Sequence, residues 1–211
     1  MAGKCAVSAV TEAMIWDAKR VSEMTPPALD RVYGCLSPSV KSHIDSLKRE
    51  EDRNRSLTGQ WLLRQLLKSH WDMDAPVISR NEKGAPVLEN APLQLSITHS
   101  EDLVACAVSE GPVGLDTERL KPFRWGLIEK VCTEQERQYV LSGSSPVGDR
   151  CEDEAIIQRF FEVWTGKEAW FKMQGTGITD LKSVNVLQLN RQLHSMEDYM
   201  IQITQPNDCT F

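Results

Sequence analysis

Two long proline-free stretches with helical periodicity constrain this chain more than any other feature. Between Lys41 and Lys68 there is no proline and one glycine, and Leu47, Leu57, Trp61, Leu62, Leu66 and Leu67 recur at helical spacing. From Glu152 to Met173, Ile156, Phe160, Trp164 and Phe171 gather on roughly one side, and Gly175-Thr176-Gly177 ends the segment. Short extended runs follow each stretch. Ala75–Ser79, Leu93–Thr98, Leu103–Val108 and Val113–Glu118 follow the first, and Val184–Leu189 and Tyr199–Thr204 follow the second. Helix then strands, twice, predicts an α+β protein of two similar lobes. Gly111-Pro112 breaks the pattern, which puts the boundary between residues 1–111 and 112–211. Residues 1–36 read as mixed, Ser37-Pro38-Ser39 as a helix start, and Phe123–Leu141 as helix, with Thr133 and Glu136 spaced for a capping box.

Composition removes several function classes. With 24 Lys and Arg against 30 Asp and Glu the net charge is −6, which disfavours general binding to a nucleic-acid backbone. Apolar residues at 41% and charged residues at 26% exclude a disordered chain. No run approaches the ~18 apolar residues of a membrane span. Lys4 is not followed by a long apolar run before Glu12 and Asp17, so no leader is expected and the expected location is cytoplasmic. The six cysteines (Cys5, Cys35, Cys106, Cys132, Cys151 and Cys209) form no C-x-x-C pair; reduced, mostly buried thiols are expected.

Three segments carry chemistry. In Val113-Gly114-Leu115-Asp116-Thr117-Glu118, strand periodicity points Asp116 and Glu118 the same way. Two like charges that close call for a cation, and hard oxygen donors suit Mg2+; the same residues also read as an exposed strand end paired with Arg119 or Lys121. In Trp164-Thr165-Gly166-Lys167-Glu168-Ala169-Trp170-Phe171-Lys172, the helical spacing aligns Trp164, Glu168 and Lys172, with Lys167 beside them. A carboxylate flanked by ammonium groups suits a metal-bound diphosphate, although a solvated Glu–Lys pair has the same pattern. Ser96-Ile97-Thr98-His99-Ser100 sets a histidine among hydroxyls that can donate to a phosphate, or it is a turn histidine satisfied by backbone. No G-x-x-x-x-G-K-[ST], G-x-S-x-G or H-E-x-x-H is present.

In this order the segments resemble the Sfp-type 4′-phosphopantetheinyl transferases. That family carries a Gly-Lys-Pro turn, an Ile-Ser-His-Ser strand end, Gly-Ile-Asp-x-Glu and Trp-x-x-Lys-Glu-x-x-x-Lys. Here they stand as Gly84-Ala85-Pro86, Ile97-Thr98-His99-Ser100, Gly114-Leu115-Asp116-Thr117-Glu118 and Trp164 through Lys172. Arg55-Ser56-Leu57-Thr58-Gly59 with Arg64 matches the family's Arg-[Ser/Thr]-x-x-Gly-x-x-x-x-Arg helix. The turn lysine is replaced by Ala85, with Lys83 close by. Val40 stands at an often basic place, which leaves Lys41, His43, Arg53 and Arg55 as cations for the nucleotide's 3′-phosphate.

The resemblance implies two similar α+β lobes with the active site at their interface. It implies coenzyme A as donor, a serine of an apo-acyl or peptidyl carrier protein as acceptor, and adenosine 3′,5′-bisphosphate as by-product. The implied metal ligands are Asp116, Glu118 and Glu168, and Mg2+ is the implied ion. Catalysis would fall to Glu168 as base with Lys172 and Asp116. Donor binding would fall to His43, Arg55, Ser56, Lys83, Gly84, Ala85, Pro86, Thr98, His99, Asp116, Lys167 and Lys172. Carrier docking would use the segment from Lys121 to Phe161, with Phe123, Arg124, Trp125, Lys130 and Arg137 as candidates, and a monomer would suffice. The same carboxylates would also serve a Mg2+-dependent hydrolase of coenzyme A, and a silent coenzyme A- or carrier-binding module is the non-enzymatic alternative.

Overall fold

The computed structural model describes residues 13–206. Cys5, Cys209 and the Lys4 and Glu12 on which the leader reading rested lie outside the described residues. In chain order the first half runs β1 (Met14–Arg20), α1 (Pro26–Gly34), α2 (Pro38–Ser46), α3 (Glu50–Trp71), β2 (Ile78–Arg80), β3 (Pro86–Leu88), β4 (Gln94–Ser100) and β5 (Leu103–Ser109). The second half runs β6 (Gly114–Arg119), β7 (Phe123–Arg124), α4 (Gly126–Val131), α5 (Glu134–Leu141), β8 (Arg150–Cys151), α6 (Glu154–Gln174), β9 (Arg191–Met196) and β10 (Tyr199–Thr204).

Two antiparallel sheets of three strands, β1-β5-β4 and β6-β10-β9, share one topology. In each, a first strand leads to a long helix and then a hairpin, and the first strand pairs with the last. The two-residue hairpin turns repeat as well: Glu101-Asp102 joins β4 to β5 and Glu197-Asp198 joins β9 to β10, with Glu101 and Glu197 both at positive φ. The mixed helix and sheet expectation holds.

Strand β5 explains how the halves pack. Every residue in it is buried, because its two faces meet different partners. Val104, Cys106 and Val108 cluster with Leu62, Leu63, Leu66 and Leu67 of α3. Leu103, Ala105 and Ala107 cluster with Leu115 of β6 and Tyr199, Ile201 and Ile203 of β10. Each large aliphatic side chain removed from water there is worth about 1.5–3 kcal/mol. A third cluster packs Phe160, Phe161 and Val163 of α6 on Ile128, Val131 and Val140 of α4 and α5.

Several elements differ from the sequence reading. Residues 1–36 hold β1 and α1 within the described part. The stretch Lys41–Lys68, which reads as one long helix or two consecutive ones, is the latter: α2 and α3 part at Leu47. Phe123–Leu141 is a short strand and two helices, and the Thr133–Glu136 capping box opens the second of them. Val184–Leu189 is not a strand: Leu181–Ser183 and Val186–Gln188 are 3-10 turns, capped by the side chains of Asp180 and Asn185. Among the described cysteines all four are free, with Cys106, Cys132 and Cys151 buried and Cys35 exposed. No helix among the described residues is long and apolar enough to cross a membrane.

Candidate active site

The site lies where α6 crosses β6, and glycine sets that distance. A Cβ on Gly114 would stand 1.8 Å from the Ala169 carbonyl oxygen, so only glycine lets the helix settle this close to the strand. One face of α6 then overhangs β6, and Glu168 and Lys172 meet Asp116.

Asp116 is 2% exposed. Its Oδ1 accepts from Lys172 Nζ at 2.6 Å and from Thr98 Oγ1 at 2.9 Å. Its Oδ2 is buried without a hydrogen-bond partner among the described residues. Two residues on, Glu118 Oε2 accepts from Ser100 Oγ at 2.8 Å and Oε1 from Trp164 Nε1 at 3.4 Å. Burial raises the Glu118 carboxyl and Asp116 adds to the rise, against the lowering from Ser100. Glu168 is pushed up to about 7, first by burial and then by facing Asp116, with Lys172 pulling the other way. Lys172 also donates to Thr98 Oγ1 at 3.1 Å. Three carboxyl groups thus share one field, with the Lys172 ammonium bonded to one of them.

Beside this cluster opens a cavity of about 350 Å³, lined among others by His43, Arg80, Lys83, His99, Glu168 and Lys172. Ser56 and the turn Gly84-Ala85-Pro86 also line it. The turn is built by Asn81, whose Oδ1 accepts from Lys83 N and Ala85 N at 3.0 Å each, and Gly84 takes φ +83°. Lys83 Nζ donates to Gly175 O at 2.7 Å, so the turn reaches the end of α6. His43 is held below its usual value by burial and then by Arg80. His99 is lowered by burial, then by Arg55 and Lys172. Burial also lowers Arg80. A wall of cationic and imidazole groups in a chain of net charge −6 fits a polyanion.

There is a second cavity of about 330 Å³. It is lined by Glu118, Phe123, Phe160, Phe161 and Trp164, with Lys121, Arg124 and Arg150 among its polar lining.

The structure gathers most of the residues singled out from sequence, with exceptions. Lys167 does not face the cavity. It is fully buried in an ion pair with Glu136 at 2.7 Å and donates to the Leu181 and Val184 carbonyls at 2.6 Å each. One residue is about 100° around a helix, so the neighbour of Glu168 turns into the core, and its reading as a donor-binding residue is corrected to a structural one. Arg55 is absent from the lining; it bonds Asp52 and the Glu101 carbonyl. Lys41 bonds the Gly34 carbonyl and Arg53 the Leu47 carbonyl, which leaves His43 as the one of those four cations in the cavity wall. Arg80 is the residue missed. The strand read from sequence stopped at Ser79, one residue short, and β2 ends on Arg80, whose guanidinium lies over Gly84.

Mg2+ calls for hard oxygen donors. Among the described residues no three His, Cys, Asp or Glu side chains stand grouped to hold a metal ion, and Lys172 bonds Asp116 Oδ1. The unpartnered buried Asp116 Oδ2 and the hard oxygens of Glu118 and Glu168 beside it fit such an ion.

Comparison with known proteins agrees with this geometry. Residues 112–207 match the family model described as the 4′-phosphopantetheinyl transferase superfamily. The chain is 26% identical over 153 residues to 4′-phosphopantetheinyl transferase Sfp of Bacillus subtilis strain 168, covering 71% of this chain and 65% of that one. It is 30% identical over 160 residues to 4′-phosphopantetheinyl transferase gsp of Aneurinibacillus migulanus (72% and 64%), and 29% identical over 164 residues to 4′-phosphopantetheinyl transferase AcpT of Escherichia coli O157:H7 (73% and 77%). Over about 70% of its length the chain is thus similar to 4′-phosphopantetheinyl transferases. It spans a little under two thirds of the length of the first two relatives.

Proposed function

We propose that this protein transfers the 4′-phosphopantetheine group of coenzyme A to a serine hydroxyl of an apo-acyl or peptidyl carrier protein. The observation that carries the reading is the convergence of Asp116, Glu118 and Glu168, from β6 and α6, beside a cation-walled cavity. Residues 1–111 and 112–211 form two similar lobes in this reading, with the active site between them. The relatives' printed names give the same activity.

The cavity would hold coenzyme A, with His43, Ser56, Arg80, Lys83, His99 and the Gly84–Pro86 turn against the nucleotide and its phosphates. Lys172 and His99 would offset charge on the diphosphate. The serine oxygen attacks the phosphorus on the pantetheine side, a new phosphorus–oxygen bond forms, and the bond to the 5′-phosphate oxygen breaks. Adenosine 3′,5′-bisphosphate leaves with that electron pair. Glu168 takes the serine proton directly or through a water. Asp116, Glu118 and Glu168 would hold Mg2+, which supplies Lewis-acid charge to the diphosphate when bound. Positioning and charge account for most of such a transfer.

The acceptor would approach over the second cavity, which Glu118 lines. Its aromatic floor and the rim of Lys121, Arg124 and Arg150 suit an acidic carrier with an apolar anchor. Of the candidates read from sequence, Arg124 and Lys130 are exposed, Trp125 donates to the Val147 carbonyl, and Arg137 is paired with Glu129. A monomeric, cytoplasmic enzyme completes the reading.

The test is mass spectrometry of a panel of apo-carriers incubated with coenzyme A, with and without Mg2+. A phosphopantetheine mass added to a carrier is expected with Mg2+ and lost in Glu168→Gln, whose coenzyme A binding stays largely intact. Coenzyme A consumed with no carrier modified would instead establish the hydrolase, and unchanged transfer by Glu168→Gln would remove Glu168 from the chemistry.

A further inference from the structure

Strands β4 and β6 lie side by side yet belong to different sheets. A row of hydroxyls joins them. Ser96 Oγ accepts from Leu115 N at 3.0 Å, Thr98 Oγ1 from Thr117 N at 3.3 Å, and Ser100 Oγ from Arg119 N at 3.1 Å. The three alternate along β4, so they share one face, and they are 4%, 4% and 8% exposed. Side chains therefore do here what carbonyls do within a sheet. They satisfy the N–H groups of β6, an edge strand that would otherwise bury them unpaired.

A hydroxyl that accepts from a backbone N–H still has a proton to give. Thr98 directs its proton at Asp116 Oδ1, and Ser100 directs its own at Glu118 Oε2. Ser96 makes no bond to a carboxylate among the described residues. Thr98 also touches Lys172 and belongs to the cluster already described. Ser100 lines neither cavity, and its bonds go to a carboxylate and to the backbone one residue beyond it.

We propose that Ser100 is a positioning residue, whose hydroxyl ties the Glu118 carboxylate to the β6 backbone and aims it at the space shared with Asp116 and Glu168. The inference rests on the metal-holding role given to Glu118 above. Glu118 has three side-chain torsions, and its other fastening is the Trp164 indole at 3.4 Å, near the outer limit of a hydrogen bond. Losing Ser100 Oγ frees the carboxylate to sample rotamers that point away from Asp116. Groups that orient a metal ligand without touching the metal typically change affinity by about 10- to 100-fold when removed.

The test measures Mn2+ binding to the full chain with coenzyme A present, by electron paramagnetic resonance of the free ion, together with thermal melting of the metal-free protein. Ser100→Ala is expected to weaken Mn2+ at least about 10-fold, and Ser100→Thr, which keeps the hydroxyl, to restore it. Ser96→Ala removes the same kind of bond to β6 without touching a carboxylate. Ser96 also lines the first cavity, so this variant's Mn2+ affinity is compared at saturating coenzyme A, where it is expected to stay at the wild-type value while the melting temperature falls comparably. Should Ser100→Ala fail to fold, Ser100→Cys keeps the volume with a weak donor and carries the same expectation. Wild-type affinity in the folded Ser100 variant, or an equal loss in Ser96→Ala, would overturn the positioning role. No Mn2+ binding by the wild type would overturn the metal reading itself.

Discussion

Glu168 carries its carboxyl at about 7 against the usual 4.5, because α6 buries it over Asp116. Between those values the folded state keeps a proton that the unfolded chain gives up. Stability of the metal-free protein therefore falls as pH rises through that window. Replacing the carboxyl by an amide removes the effect. Glu168→Gln should be more stable than the wild type at about pH 8.5, by on the order of 2–3 kcal/mol at most in chemical denaturation, and the gap should close toward about pH 4.5. A gap independent of pH would show that burial does not hold this proton. Among individual residues, the carboxylates and Lys172 were legible because i+2 on a strand and i+4 on a helix fix a shared face. Lys167 was misread because adjacency in sequence is divergence on a helix. The hydroxyls of β4 gave no sign of their partners, since those partners are backbone groups of another sheet.

At the scale of elements, the contact between β6 and α6 decides whether the site exists. Gly114→Ala would force a Cβ into the Ala169 carbonyl, and neither strand nor helix can yield without moving Asp116 away from Lys172. A loss of about 1–3 kcal/mol or more is expected in chemical denaturation, with carrier modification reduced more steeply than coenzyme A binding. A variant that keeps full transfer would show that the spacing tolerates a methyl group. Strands β4, β5, β6 and β10 were readable from their apolar patterns, and α6 from its period. Strand β1 was not, because six of its seven residues are half-buried and no in-and-out alternation results. The false strand at residues 184–189 arose from Val184 and Val186, which both turn inward from irregular backbone, imitating a period of two.

For the whole molecule, two arginines reach across between the halves in reciprocal fashion. Arg20, the last residue of β1, bonds Glu197 at 2.5 Å and approaches Asp102 at 3.7 Å. Arg119, the last residue of β6, bonds Glu101 at 2.6 Å and Asp198 at 2.5 Å. Each therefore holds the aspartate of its own sheet's hairpin and the glutamate of the other's. These pairs are solvent-facing, so salt screens them. The double variant Arg20→Gln with Arg119→Gln should melt lower than the wild type in dilute buffer, and the difference should shrink in about 1 M NaCl. A difference unaffected by salt would mean that packing, not charge, is lost. The same correspondence sets Asp17 of β1 three residues before Arg20, as Asp116 stands before Arg119, but Lys19 falls where β6 has Glu118. That ammonium, bonded to Glu23, leaves the first strand without the second acid, so under the proposed function the polypeptide should load a single nucleotide, and titration with coenzyme A should saturate at one equivalent.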